Sequence, residues 1–119
     1  LNVIKKNKLE NLLQNFLILK PQSYLNNLSY ILNAKCVLTN SGGIQEEAAY
    51  LNIPCCVFRK NTERPVTLNR SNSILCNNIN KLEKNINKIS MVKTNNRIKF
   101  WDGKASLRIY SNLKNIIKK

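Results

Sequence analysis

The sequence contains no histidine, and its 6 acidic residues face 20 basic ones. The lack of histidine removes the commonest general base from the chain. No apolar run approaches the roughly 20 residues that a membrane-spanning helix requires, and no secretory signal pattern opens the chain. We therefore expect a soluble, intracellular protein located in the cytoplasm. Because the 119 residues begin without methionine, we also consider the chain a piece of a longer protein.

The chain has four cysteines, and none of them forms a C-x-x-C pair: Cys36, Cys55, Cys56 and Cys76. A zinc site needs ligands at a spacing that these residues do not have. All four lie in short apolar runs, which predicts buried thiols in a reducing compartment. We therefore expect no zinc site.

The net charge of +14 is of a size that normally indicates nucleic acid or an anionic membrane as partner. Here lysine, asparagine and isoleucine are abundant together, as an AT-rich coding sequence would produce. The lysines are scattered, and no alternation of arginines with aromatic residues provides a surface for base stacking. We therefore predict a solvated lysine-rich surface, with no nucleic acid or membrane as partner. A basic nucleic-acid-binding module remains the less favoured alternative.

Strand and helix patterns alternate along the chain. Short apolar runs predict strands over residues 16–20, 35–39, 55–58 and 73–76. Helical spacing predicts helices over residues 4–15, 23–34, 44–52, 78–90 and 104–119, with Ser23 as the N-cap of the second and Leu25, Leu28 and Leu32 on one of its sides. A polar loop is predicted over residues 59–69. This alternation predicts an α/β fold with a parallel sheet, in a single domain over residues 1–119.

The stretch "NSGG", residues 40–43, follows a predicted strand and precedes a predicted helix. Ligands of open parallel sheets bind beyond the carboxyl ends of the strands. Gly42 and Gly43 allow close backbone approach and a positive φ, Ser41 adds a hydroxyl, and the helix start favours an anion. The same glycines are equally typical of a plain strand-to-helix turn, so the residues alone do not decide between a phosphate-binding loop and such a turn.

Acidic and basic residues near this loop also bear on the phosphate-binding interpretation. Glu47 is close enough along the helix to reach a ribose attached to a bound phosphate, and a carboxylate accepts two hydroxyl hydrogen bonds. For Glu46 we favour a simple stabilisation of the positive helix end. Arg64, in "TERP", serves equally well as a phosphate ligand or as the ion-pair partner of Glu63.

Three stretches together resemble the non-hydrolysing UDP-N-acetylglucosamine 2-epimerases: "VLTNSGGIQEEAAYLNIPCCVFRKNTERPVT", "WDGKASLRI" and "LKPQSYLNNLSYIL". The resemblance implies a Rossmann-like parallel sheet with flanking helices, as the later part of the C-terminal domain of a glycosyltransferase-B-type two-domain fold. It implies reversible interconversion of UDP-GlcNAc and UDP-ManNAc by elimination and re-addition of UDP, with no metal or redox cofactor. The implied partners are a UDP-sugar, a missing N-terminal domain and, in the full-length protein, a second copy in a homodimer.

The resemblance also implies roles for individual residues. Ser41, Gly42 and Gly43 correspond to the diphosphate cradle, Glu47 to the ribose ligand and Arg64 to a substrate-contacting arginine. Two further residues, Gln22 and Asn27, correspond to the uridine end of the site. The chain departs from the family pattern at Asn27, where an aromatic residue is usual, at Asn40, where aspartate is usual, and at Ser71, where glycine is usual.

No catalytic residue is identified in this chain, because the family's acid–base carboxylates and its functional histidine belong to regions that precede the matched part. We therefore expect UDP binding without epimerisation by the chain alone. Two other hypotheses remain: a nucleotide-sugar glycosyltransferase domain of the same architecture, and a decayed remnant that neither binds nor catalyses.

Overall fold

The computed structural model describes residues 2–70, 72–91 and 97–117. The α-helices are α1 (Asn2–Lys6), α2 (Tyr24–Asn33), α3 (Gly42–Tyr50), α4 (Pro65–Arg70), α5 (Leu82–Ser90) and α6 (Ala105–Ile117). Short 3-10 helices cover Glu10–Leu13 and Ile79–Lys81. The strands are β1 (Val37–Thr39), β2 (Cys55–Val57) and β3 (Ser73–Leu75). In this described part of the chain, no helix is long and apolar enough to cross a membrane.

The three strands form one parallel sheet in the order β1-β2-β3. Cys55 of the central strand pairs with Val37 on one side and with Ser73 on the other. All of β2 is buried, as expected for a strand with neighbours on both edges and helices on both faces. The predicted α/β class with a parallel sheet and flanking helices is confirmed.

The core lies on both faces of β2. Because successive strand residues point to opposite faces, Cys55 and Val57 pack with Ile31 of α2 and Ala48 of α3. Cys56 points the other way, into a second cluster formed with Cys76 and Ile89. The prediction that the cysteines act as small apolar core residues is confirmed: all four are free thiols, three are buried, and Cys36 is half-buried.

The prediction of a strand over residues 16–20 is wrong. These residues do not pair with any strand of the described sheet, and Leu17 is 87% exposed. A parallel strand requires a hydrogen-bonded neighbour and helices over its faces, and the described sheet ends at β1. The apolar run alone therefore did not decide the conformation.

Three further predictions need correction. The predicted first helix is two short pieces, separated at Lys8, whose φ is 54°. In α2 the cap at Ser23 is confirmed, with Oγ accepting from the Asn26 N–H at 3.3 Å, but Ile31 is the buried residue, while Leu25 and Leu32 are exposed. The predicted loop over 59–69 contains α4, which begins at Pro65, a favoured first helical residue.

The buried thiols predict a loss of stability at alkaline pH. Burial raises the pKa of Cys55 and of Cys56 from 9.0 to about 12. Between these values the unfolded chain releases thiol protons that the folded chain keeps, so this contribution is full below pH 9 and declines as pH rises. We expect the urea midpoint to fall from pH 8 to pH 10, and to fall less in Cys56→Ala. Equal falls in both proteins would contradict this account.

Candidate functional site

The carboxyl ends of β1 and β2 bring two loops together. Thr39 and Val57 are opposed in the sheet, and the Phe58 N–H donates to the Thr39 carbonyl at 2.8 Å. The chain continues from β1 into α3 at once, whereas from β2 it runs through residues 58–64 to α4. Residues that are more than twenty positions apart in sequence, Gly42 and Arg64, therefore meet at one sheet edge.

Ser41 is the N-cap of α3, and Gly42 and Gly43 form its first turn. The Ser41 N–H donates to Thr39 Oγ1 at 3.0 Å, and the Ser41 carbonyl accepts the first helical hydrogen bond, from the Gln45 N–H at 3.1 Å. The Ser41 side chain makes no capping hydrogen bond. Hence the first-turn N–H groups have no intrahelical acceptor, and the Ser41 hydroxyl does not supply one.

Gly42 and Gly43 do not have the positive φ for which the sequence prediction allowed. Among the described glycines, Gly103 has that conformation. The absence of a side chain matters at Gly42 for another reason. A Cβ there would overlap the Arg64 guanidinium, whereas a Cβ at Gly43 would meet only Ser41 Oγ, at 3.9 Å. Gly42 therefore makes room for an arginine at the start of α3.

Arg64 carries its charge to an unfavourable place for a cation. The amino end of a helix is itself positive, so it favours anions and disfavours a guanidinium. Two acids offset this: Glu46 Oε1 lies 3.0 Å from Arg64 Nε, and Glu63 Oε2 lies 3.3 Å from Nη1. The expected ion pair of Arg64 with Glu63 is thus present, and Glu46 adds a second one, so a cluster of paired charges lies at the amino end of α3.

Glu63 also pairs with Arg59, whose Nη1 lies 3.1 Å from the same Oε2. The pKa of Glu63 is held below its usual range, first by its own backbone N–H and then by Arg59 and Arg64. The carboxylate is thus ionised at neutral pH and holds the loop that carries Arg64.

Two buried polar atoms in the site lack a hydrogen-bond partner among the described residues: Glu47 Oε2 and Arg64 Nε. The Arg64 Nε contact with Glu46 has the distance of an ion pair without the alignment of a hydrogen bond. Buried polar groups without hydrogen bonds are costly, and a water or a ligand can satisfy them. Glu47 Oε2 is thus an acceptor without a donor, and Arg64 Nε is ion-paired without a hydrogen bond.

Gln22 and Asn27 lie at the start of α2. Because α2 leads into the amino end of β1, its own start lies towards the carboxyl end of β1, the sheet edge at which α3 begins. Gln22 is exposed and donates from Nε2 to the Lys20 carbonyl at 2.9 Å. Asn27 is half-buried in the first turn of α2, its N–H donating to the Ser23 carbonyl at 3.0 Å. Among described residues, no hydrogen bond or ion pair joins either of them to Ser41, Gly42 or Arg64. Asn40 is exposed beside the cradle, and Ser71 lies outside the described residues.

Sequence reasoning missed Gln45, a fully buried side chain within "QEE". Its amide donates to Thr67 Oγ1 and accepts from Thr62 Oγ1 at 2.9 Å. The available signal was its spacing: Gln45 lies three and four positions before the apolar pair Ala48 and Ala49, which places it on the buried face of α3.

The arrangement is suited to binding an anion that carries hydroxyl groups, since it combines free helix N–H groups, an arginine and a carboxylate acceptor. In residues 2–70, 72–91 and 97–117 no cluster of three or more cysteine, aspartate or glutamate residues could hold a metal ion.

Comparison with known proteins gives a consistent result. The family model described as UDP-N-acetylglucosamine 2-epimerase matches residues 2–114. The UDP-N-acetylglucosamine 2-epimerase of Methanocaldococcus jannaschii is 42% identical over 93 residues, which cover 77% of this chain and 25% of that protein. The enzyme of Yersinia pestis is 35% identical over 112 residues, which cover 87% of this chain and 29% of that protein.

The solved structures agree. The M. jannaschii UDP-GlcNAc 2-epimerase in complex with UDP-GlcNAc and UDP superimposes with a TM-score of 0.79 at 38% identity, covering 94% of this chain and 32% of that one. The chain thus spans about a quarter to a third of the length of these relatives.

Proposed function

This chain belongs to the UDP-N-acetylglucosamine 2-epimerase family, and we propose that it supplies the UDP-binding part of such an epimerase. The observation that carries the proposal is the Arg64 guanidinium seated against Gly42 at the amino end of α3. A diphosphate accepts hydrogen bonds from helix N–H groups, a hydroxyl and a guanidinium together. It also interacts favourably with the guanidinium and with the positive helix end, which lie side by side.

Each residue of the site has a role in this proposal. Ser41, Gly42 and Gly43 hold the diphosphate through backbone N–H groups and the serine hydroxyl, and Arg64 contributes N–H groups of its guanidinium. Glu47 Oε2, the buried acceptor without a partner, binds the ribose hydroxyls. The uridine end is bound further along the same sheet edge, by Gln22 and Asn27.

The reaction proposed for the complete protein is reversible inversion at C2 of UDP-GlcNAc to give UDP-ManNAc. A base removes the C2 proton, the C1–O bond to UDP breaks, and UDP then re-adds with return of a proton to the other face. The cradle stabilises the negative charge that develops on the departing diphosphate during elimination. We propose that the acid–base groups come from a preceding N-terminal domain. We also propose that the complete protein acts in the cytoplasm as a homodimer.

A glycosyltransferase of the same architecture is the second candidate, because it would hold a nucleotide diphosphate in the same way. The arginine of "TERP" at the cradle favours the epimerase. Product analysis of the complete protein separates them: epimerisation yields UDP-ManNAc, whereas a transferase yields free UDP and a glycosylated acceptor.

Calorimetric titration of the 119-residue chain tests the binding proposal. UDP should bind, and uridine should bind at least about tenfold more weakly, because it lacks the charged groups that the cradle holds. Equal dissociation constants for UDP and uridine, or no binding of UDP at millimolar concentration, would refute the proposal.

The role of Glu47 predicts a preference for ribose over deoxyribose. We expect the chain to bind UDP about tenfold more tightly than 2′-deoxy-UDP, since a hydrogen bond to a charged acceptor is worth about 1.5–3 kcal/mol. In Glu47→Ala that preference should disappear, while the urea midpoint is maintained or rises because a buried oxygen without a partner is removed. A Glu47→Ala protein that still discriminates between the two nucleotides would rule out this role.

A further inference from the structure

We infer that Gln45 is the positioning residue for Arg64: its buried amide fixes the backbone from which the guanidinium reaches the cradle. This inference rests on the proposed function, since it concerns the same diphosphate site. Gln45 itself is fully buried and so contacts no ligand.

The hydrogen bonds around Gln45 form a closed set with consistent donors and acceptors. The Thr62 hydroxyl donates to Gln45 Oε1 at 2.9 Å and accepts from the Arg64 N–H at 3.1 Å. The Thr67 hydroxyl accepts from Gln45 Nε2 and donates to the Arg64 carbonyl at 2.8 Å. Both backbone polar groups of Arg64 are thus held by threonines that one amide connects.

This arrangement determines where the arginine can point. Arg64 belongs to a loop and is half-buried, and its ion-pair partners are partly exposed, so they position it weakly. Gln45 belongs to α3, the helix whose amino end forms the cradle. The buried Gln45 side chain therefore links the backbone of the loop that carries Arg64 to the helix proposed to bind the anion, and it keeps their separation constant.

Glutamine suits this position better than the glutamates that follow it. A carboxylate at residue 45 would accept from both threonine hydroxyls, and the Thr67 hydroxyl could then not donate to the Arg64 carbonyl. The amide alone supplies one donor and one acceptor at fixed positions. This explains a neutral residue at the buried position before Glu46 and Glu47.

Isosteric variants and a double-mutant cycle test the inference. Gln45→Met keeps the volume but removes both hydrogen bonds, and it should raise the UDP Kd about tenfold, the effect of misplacing one charge-assisted ligand. In an Arg64→Ala background the same substitution should change the Kd less than about twofold, because there is no guanidinium left to position. An unchanged Kd for Gln45→Met, or equal losses in both backgrounds, would overturn the positioning role.

A matched pair of variants covers the case in which Gln45→Met fails to fold. Thr62→Val removes the hydroxyl that joins Gln45 to the Arg64 N–H and should weaken UDP binding, whereas Thr62→Ser retains the hydroxyl and should restore it. Equal affinities for the two would count against the inference.

A measurement without ligand separates this inference from the proposed function. Amide hydrogen exchange at Arg64 should be faster in Gln45→Met or Thr62→Val by about tenfold, while exchange at Cys55 in the sheet is unchanged. Unchanged protection at Arg64 would overturn the inference even if UDP binds. If the variants lose protection at Arg64 but the wild-type chain does not bind UDP, the proposed function is refuted. The contact between Gln45 and the Arg64 backbone would still be established.

Discussion

Replacement of Arg64 by alanine is expected to weaken UDP binding by roughly 10- to 100-fold, because one charge-assisted contact with the diphosphate is worth about 1.5–3 kcal/mol. The effect on stability should be small. The ion pairs of Arg64 join side chains that are 32% to 71% exposed, and such pairs contribute about 0–1 kcal/mol. Calorimetry of UDP binding and urea unfolding of the same preparation measure the two effects separately.

Arg108→Ala is the matched control for this prediction. Arg108 lies in α6 and pairs with Asp102 at 2.9 Å, with a side-chain exposure of 36% against 32% for Arg64. Its removal changes the net charge by the same amount, away from the cradle, and should leave UDP affinity within about twofold. Equal losses of affinity in the two variants would mean that UDP responds to the general positive charge, and Arg64 would then have no specific role.

Replacement of Gly42 by alanine is expected to shift stability and affinity in opposite directions. Gly42 has a helical conformation without positive φ, so alanine should stabilise α3 by about 0.5–1 kcal/mol. Its Cβ would overlap the Arg64 guanidinium, the mobile end of a long side chain, which must then leave its place over the helix start. We expect a loss of UDP affinity of about tenfold or more, with an equal or higher urea midpoint.

Gly43→Ala provides the comparison within the same helical turn. It gives the same gain in helix propensity, but its Cβ would meet only Ser41 Oγ, at ordinary contact distance. The loss of UDP affinity should therefore be clearly larger at residue 42 than at residue 43. A larger loss at Gly43, or a destabilised Gly42→Ala protein, would contradict the geometry described above.

The α/β architecture could be predicted from the sequence because its core elements are locally consistent. The strand that contains Cys55 and Val57 is apolar throughout and is bounded by Pro54, and α5 repeats its apolar residues at helical spacing. The run over residues 16–20 is just as apolar, yet it forms no strand. Strand formation there depends on a neighbouring strand and covering helices, and a sequence pattern does not contain that information.

The position of the proposed cradle residues could be predicted in part for the same reason. The glycines and Ser41 are adjacent in sequence, and the strand-to-helix order locates them at the carboxyl edge of the sheet. The contact between Gly42 and Arg64 joins the start of α3 to the loop before α4. The network of Gln45 with Thr62 and Thr67 joins α3 to that loop and to α4, which was predicted to be part of a loop. These contacts depend on the register of β1 and β2, which has no local sequence signal.

The most direct test of the central claim is a titration of the ¹⁵N-labelled chain with UDP, followed by amide chemical shifts. The account predicts the largest changes at Gly42, Gly43 and Arg64, with amides of α6 unaffected. Uridine at the same concentration should leave the Gly42 and Gly43 amides nearly unchanged. Shifts that spare these glycines, or that uridine reproduces in full, would contradict a diphosphate cradle at the amino end of α3.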